Sequence, residues 1–238
     1  MSVLLWAIRK TLGPAAAAQV ALNRARVAGD PQKAEGWLRK SLELCREYPT
    51  GLKIIELHAR HQLAEVLWKQ GHLPEAEQAF STCLNELEST CPTHPFLATF
   101  MLVAALFQAE AKHSKPDALA IMRNAEGLLN KSLADPLLSG VDQYRRTLGL
   151  QSVSTYLGEL LFENGAFADA EMRYRKALEI GVNMLESLPS HEAPLPDDLN
   201  DEYEKLKRAL EAQQKTEALA ALEKYRETYT ATYQRLHG

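Results

Sequence analysis

Apolar and polar residues alternate along most of this chain with the three-to-four-residue period of an amphipathic helix, and short breaks rich in Gly, Pro and polar residues punctuate it. Four segments share one grammar: ALNRARVAGDPQKAEGWLRKSLEL, LAEVLWKQGHLPEAEQAFSTCLNEL, ALFQAEAKHSKPDALAIMRNAEGLL and LGELLFENGAFADAEMRYRKALEI. Each has an alanine at the same place (Ala34, Ala76, Ala118 and Ala170), spaced 42, 42 and 52 residues apart. Five residues earlier stand Gly29, Gly71, His113 and Gly165. Four residues later stand Leu38, Phe80, Met122 and Tyr174, all large; seven later stand Ser41, Cys83, Ala125 and Ala177, all small. Lys33, Glu75, Asp117 and Asp169 precede the four alanines.

This spacing predicts helical hairpins. A turn glycine can adopt positive φ and end the first helix. The alanine lets two helix backbones approach, the large residue one turn on fills the space between hairpins, and the small residue beyond it faces the same contact. His113 departs from the glycine rule, which predicts a third turn of different geometry, with Pro116 placed at a helix start.

The pattern resembles the tetratricopeptide repeat (TPR), a helix–turn–helix unit, over residues 15 to 190. The fourth segment matches it best, through Leu157, Gly158, Gly165, Ala170, Tyr174, Ala177 and Leu178. The family's closing proline is displaced: Pro49, Pro92, Pro136 and Pro189 follow the alanines by 15 to 19 residues, so each second helix is lengthened. The 42-residue spacing is similar to the extended repeats of kinesin light chains. The resemblance implies an all-α fold, an α-solenoid of antiparallel hairpins. Its parts are an N-terminal helix or targeting segment (1–14), repeats at 15–51, 52–93, 94–136 and 142–189, and a linker at 190–201. Residues 202–237 make either one capping helix or a degenerate fifth hairpin anchored on Ala218, with its turn near Gln213–Thr216.

Composition supports helices. Leu and Ala supply 38 and 33 of the 238 residues, whereas Val and Ile together supply 13, too few for a sheet-rich fold. The longest apolar run, Phe96–Phe107, is 12 residues and too short to span a bilayer. A net charge of −4 gives no general case for nucleic-acid binding. That charge is unevenly placed. Residues 1–60 carry ten basic and five acidic side chains, and the remainder carries 17 and 26. Residues 1–29 hold no Asp or Glu but do hold Arg9, Lys10, Arg24 and Arg26. An acid-free basic start suits an organelle-targeting segment as well as a structural helix, so the expected compartment is the cytoplasm or, on the targeting reading, the mitochondrion. The odd count of three cysteines, with no CxxC pair, fits a reducing compartment. Cys83 falls on a small core position; Cys91, before Pro92, reads as a loop thiol.

The TPR resemblance implies a concave groove lined by the first helix of each hairpin. It places there Gln19, Asn23 and Arg26; His61, Glu65 and Trp68; Val103, Phe107 and Glu110; and Thr155, Glu159 and Phe162. A carboxylate clamp for chaperone tails would need lysines at these positions, and only Asn23 fits it. Aromatic residues mixed with Glu suit an amphipathic helix or an extended peptide instead, with Trp68, Phe107 and Phe162 open to an alternative role in interior packing. His58, His61 and Glu65 share a helix face at metal-ligand spacing but gather no further ligand, so no metal or cofactor is expected. Phosphate-binding, nucleophile-elbow, zinc-protease and kinase signatures are absent. These readings describe a non-enzymatic scaffold or adaptor for protein partners, or else a constitutive subunit of a large assembly.

Overall fold

The computed structural model describes residues 3–48, 51–90, 97–134, 140–187 and 196–237. Among them are eleven α-helices and no strand: α1 (Val3–Leu12), α2 (Pro14–Arg26), α3 (Pro31–Glu47), α4 (Lys53–Lys69), α5 (Leu73–Thr90), α6 (Leu97–Leu106), α7 (Lys115–Leu133), α8 (Gly140–Glu163), α9 (Phe167–Ser187), α10 (Asn200–Ala212) and α11 (Thr216–His237). A π-helical turn, Phe107–Ala111, prolongs α6, and a 3-10 turn, Pro196–Leu199, precedes α10. Cys91 and Pro49, Pro92, Pro136 and Pro189 lie outside the described residues. The chain falls into two compact units. One comprises residues 1–94 and 106–113; the other comprises 95–105 and 114–238.

In the first unit α2 packs on α3 and α4 on α5 as hairpins, and α3 packs on α4. Ala34, Leu38 and Ser41 of α3 are buried, as are Ala76, Phe80 and Cys83 of α5. The small position does more than make room. Ser41 Oγ donates to the Ala18 carbonyl of α2 at 2.9 Å, and Cys83 Sγ donates to the Leu57 carbonyl of α4 at 3.6 Å. Both stitch the second helix of a hairpin to the first. A separate cluster joins α1 to the first hairpin through Leu5, Ala17, Ala18, Ala21, Leu44 and Cys45.

In the second unit α8 packs on α9, and α10 packs on both α9 and α11. The repeat's large residue makes one of the tightest contacts. A Cβ on Gly158 of α8 would lie 2.5 Å from the Tyr174 ring of α9. Tyr174 is buried with Ala170 and Leu178, and its cluster continues through Tyr203, Leu206 and Leu210 of α10 to Leu222 and Tyr229 of α11. Polar contacts bind the same elements. Glu171 is side-chain buried to 11% exposure; it accepts from Arg175 Nε at 2.9 Å, Gln213 Nε2 at 2.9 Å and Lys215 Nζ at 2.7 Å. Gln213 Nε2 also reaches the Phe167 carbonyl at 3.1 Å.

The turns divide into two solutions. After α4, α8 and α10 the chain closes the same way: the amides of His72, Ala166 and Lys215 bond back five residues, to the carbonyls of Leu67, Leu161 and Leu210. The residue before each is left-handed: Gly71 (φ 81), Gly165 (φ 75) and Gln214 (φ 57). These are Schellman closures, which glycine makes without a Cβ clash. His113 is left-handed too (φ 52), so the third turn keeps the handedness; what differs is the π-helical turn leading into it. Gly29 is the real departure, since it lacks a positive φ. The first hairpin relies instead on Asp30, whose side chain accepts from Gln32 N at 2.9 Å, with Pro31 starting α3.

Residues 200–237 form two helices and a turn, not one helix. Their anchor is shifted by one position. The amides of Ala76, Ala118 and Ala170 bond to the carbonyls of His72, Ser114 and Ala166; in the last hairpin it is Leu219 that bonds to Lys215 in this way. A leucine thus stands where the other hairpins have alanine, and Ala218 is the neighbouring, half-buried residue.

Two substitutions test this account. Gly158→Ala places a methyl inside the Tyr174 ring and should cost about 1–3 kcal/mol, read as a lower midpoint in thermal denaturation. Gln214→Gly removes a strained left-handed side chain and should stabilise by about 1 kcal/mol, raising the midpoint by roughly 2–4 °C.

Buried Glu171 gives a pH test. Burial works to raise its carboxyl, but hydrogen bonds from Lys215, Arg175 and Gln213 outweigh it and hold the group below the ordinary glutamate value. A depressed folded-state value stabilises above the unfolded carboxyl's titration and is lost as pH falls through the folded one. Glu171→Gln should therefore cost about 1–3 kcal/mol at pH 7, with wild-type and variant stabilities converging as the solution is acidified toward pH 3.

Candidate interaction surface

In the first unit, α2 carries Gln19, Asn23 and Arg26, and α4 carries His61, Glu65 and Trp68. Gln19 Nε2 donates to Asn23 Oδ1 at 3.0 Å along α2, and both Asn23 and Arg26 are exposed. Arg26 faces the Gln62 side chain of α4. With its oxygen turned toward the guanidinium, the Gln62 amide accepts from Arg26 Nε and Nη2 at 2.8 and 3.2 Å. Arg26, Gln62, Glu65 and Lys69 form the polar part of a cleft of about 370 Å³ between the first two hairpins, over an apolar side that includes Ala34 and Leu38.

Three expected groove residues are engaged in packing. His61 is 3% exposed and Phe107 is fully buried. Phe107 meets Phe80 at 5.2 Å between ring centroids and Trp68 edge-on at 5.7 Å; His61 meets Phe80 edge-on at 5.9 Å. Aromatic residues from α4, α5 and the π-helical turn thus close on one another inside the unit. A partner reaches neither His61 nor Phe107, and it reaches only the uncovered part of half-buried Trp68. His61 Nδ1 lies 3.1 Å from Glu65 Oε1. Burial pushes the Glu65 carboxyl up, but the His61 hydrogen bond and the charges of His61 and Lys69 hold it below the ordinary value. Glu65 therefore stands at neutral pH as a carboxylate turned partly to water. Glu110 is exposed on the π-helical turn. Among the described residues no group of three or more His, Cys, Asp or Glu converges on one point.

In the second unit Val103 is half-buried on α6. The three α8 residues face α10. Thr155 Oγ1 lies 3.3 Å from Glu202 Oε1 and also donates to the Gln151 carbonyl at 3.1 Å. Glu159 Oε1 pairs with Lys205 Nζ at 2.6 Å. The Arg208 guanidinium sits 5.1 Å over the Phe162 ring. Thr155, Glu159 and Phe162 are thus rungs of a ladder met in the same order by 202, 205 and 208. Burial lowers the Lys205 ammonium, but Asp201 and Glu159 outweigh it and leave it above the ordinary lysine value. Sequence reasoning missed these α10 partners because it read residues 202–237 only for a capping helix or for an anchor alanine and a turn. The signal was there: Glu202, Lys205 and Arg208 recur every three residues on one helix face.

The two described cysteines are buried thiols. Burial raises Cys45 to about 11 and Cys83 to about 12, leaving neither as a nucleophile at neutral pH. The exposed first-helix faces offer hydrogen bonds, paired charges and modest apolar contact.

Comparison with known proteins agrees with this architecture. The tetratricopeptide-repeat family model matches residues 14–88, the first two hairpins. No curated protein matches the sequence. Among solved structures, BtubC (BKLC) from P. vanneervenii superposes with a TM-score of 0.70 at 17% identity, covering 98% of this chain and 87% of its own. A Podosopora anserina protein of nearly identical TPR-like repeats, described as a kinesin light chain, gives 0.58 at 16% identity, with coverages of 92% and 95%. A point variant of that Podosopora anserina protein gives 0.59 at 15%, with coverages of 99% and 100%. The fold is all-α and of the TPR-like α-solenoid class, similar to kinesin-light-chain-type repeats. TPR-like folds generally mediate protein–protein interaction, and no described helix is long and apolar enough to cross a membrane.

Proposed function

We propose that this chain is a non-catalytic scaffold or adaptor that holds a protein segment, an amphipathic helix or an extended peptide, against its first-helix faces. The observation that carries this reading is the cleft where α2 and α4 of adjacent hairpins bring Arg26, Gln62, Glu65 and Lys69 together over an apolar floor. Such a site orients a partner by charge and hydrogen bonds and holds it by burial. Asn23, Trp68 and Glu110 extend the surface in the first unit. Val103 contributes in the second; there Thr155, Glu159 and Phe162 contribute only the edges that α10 leaves uncovered. No cofactor and no nucleic acid enter this reading, and its compartment is the cytoplasm or, from the acid-free N-terminus, the mitochondrion.

A second reading, a constitutive subunit of a large assembly, is favoured by apolar side chains left more than half exposed: Ile54 is 53% exposed, Met172 59% and Val141 61%.

One experiment separates them. The tagged chain is purified from its source under native conditions, sized by gel filtration, and its companions are identified by mass spectrometry. A scaffold should bring down a specific protein substoichiometrically, and Arg26→Glu with Lys69→Glu, both exposed in the cleft, should cut its recovery about tenfold at an unchanged melting point. A stoichiometric large complex would support the subunit reading. A bare 26.6 kDa monomer with no companion would sink both.

A further inference from the structure

Helix α1 is held by one side and open on the other. Leu5 is fully buried and Ile8 half-buried against the alanines of α2. Arg9 secures the same side: its Nη2 pairs with Glu47 Oε2 at 2.8 Å and donates to the Tyr48 hydroxyl at 3.1 Å, and its guanidinium stands 5.5 Å from the Tyr48 ring centroid. At 100° per residue, Trp6, Ala7, Lys10 and Thr11 fall on the arc turned away from Leu5, Ile8 and Arg9, while Leu4 lies at its edge beside Ile8. Trp6 is 52% exposed and Leu4 41%. Lys10 Nζ lies 5.0 Å from the Trp6 ring centroid. Leu12, 73% exposed, overhangs the end of the helix.

The charge on α1 itself has one sign. Residues 1–29 contain no carboxylate side chain. Arg9 is committed to Glu47, which leaves Lys10 as the exposed cation of the outward face. An exposed indole, aliphatic neighbours and an ammonium that can reach past them are what the headgroup boundary of a bilayer accepts. Anionic headgroups supply the missing counter-charge. A protein partner would ordinarily be met by charges of both signs; a helix face that carries a cation and no acid of its own complements a negative surface.

We propose that the outward face of α1 is a contact for anionic lipid, laying Trp6 and Lys10 on the membrane surface while Leu5, Ile8 and Arg9 keep the helix on the first hairpin. The contact is shallow and reversible, because a short helix with few large apolar side chains needs the electrostatic term as well as the apolar one.

The test uses the full chain with sonicated vesicles of phosphatidylcholine alone or with 30% phosphatidylserine (roughly one anionic lipid in three, as in a strongly acidic leaflet). Co-sedimentation and tryptophan emission are both read. Binding should require phosphatidylserine, be reversed by added salt, and be accompanied by a blue shift. Trp6→Phe should abolish the blue shift while leaving Trp37 and Trp68 emission in place. Lys10→Gln should weaken binding about five-fold, and Trp6→Ala about tenfold; neither should change the melting point, since both side chains point outward. No sedimentation with phosphatidylserine vesicles, or equal binding by Trp6→Ala, would overturn the proposal. So would a mass that rises with protein concentration, is lost in Trp6→Ala, and is unaccompanied by vesicle binding, which would give the face to a second copy of the chain. Recovery of a protein partner by Trp6→Ala should match the wild type, so this result and the scaffold test fail independently.

Discussion

The structure depends on how closely two helix backbones can come together. Where α8 crosses α9, Gly158 lets the Tyr174 ring occupy space that any side chain would claim, and the cluster built on Tyr174 continues through α10 to α11. Elsewhere the buried alanines play this part, with Leu38, Phe80 and Met122 filling the volume one turn on. Interiors pack near crystal density, so a methyl group at such a point cannot be absorbed by small shifts alone. The small third position then gains a second use in the first two hairpins, where Ser41 and Cys83 donate to carbonyls of the facing helix.

Turn chemistry follows from the same demand. A hairpin must reverse within a few residues and still satisfy the last carbonyls of its first helix. A left-handed residue does this by a bond reaching back five positions, and Gly71, Gly165 and Gln214 all take that form. The first hairpin uses a side-chain cap from Asp30 and a proline start instead. The two solutions have nearly the same consequence for the second helix: in each of the first four hairpins, the anchoring alanine bonds to the carbonyl four residues before it.

The repeat was legible because its spacing reflects hard sterics: small at the crossing, large one turn on, small again beyond. All twelve residues at those positions in the four segments are buried. The turn at Gly29 was misread because glycine permits a left-handed conformation without requiring it, and a neighbouring Asp-Pro pair already supplies a helix start. The fifth anchor was displaced by one residue because Ala218 looked right by type, whereas the hydrogen bond that defines the position belongs to Leu219. Surface residues were harder to read. His61 and Phe107 lie at first-helix positions yet point into the aromatic cluster, and the sequence holds nothing local that says whether a neighbouring helix will cover them. Arg26 and Glu65 were legible as polar; their shared cleft with Gln62 and Lys69 depends on how two hairpins stack.

The ladder between α8 and α10 has a thermodynamic consequence. Thr155, Glu159 and Phe162 already have occupants in Glu202, Lys205 and Arg208. A ligand seeking the whole of that α8 face competes with the protein's own last hairpin, and its apparent affinity is the intrinsic one scaled by the fraction of molecules in which α10 has lifted away. That fraction also depends on contacts remote from the ladder, among them the Glu171 hub. The stability of the terminal hairpin is therefore also a dial on how much of the neighbouring surface stands open to anything else.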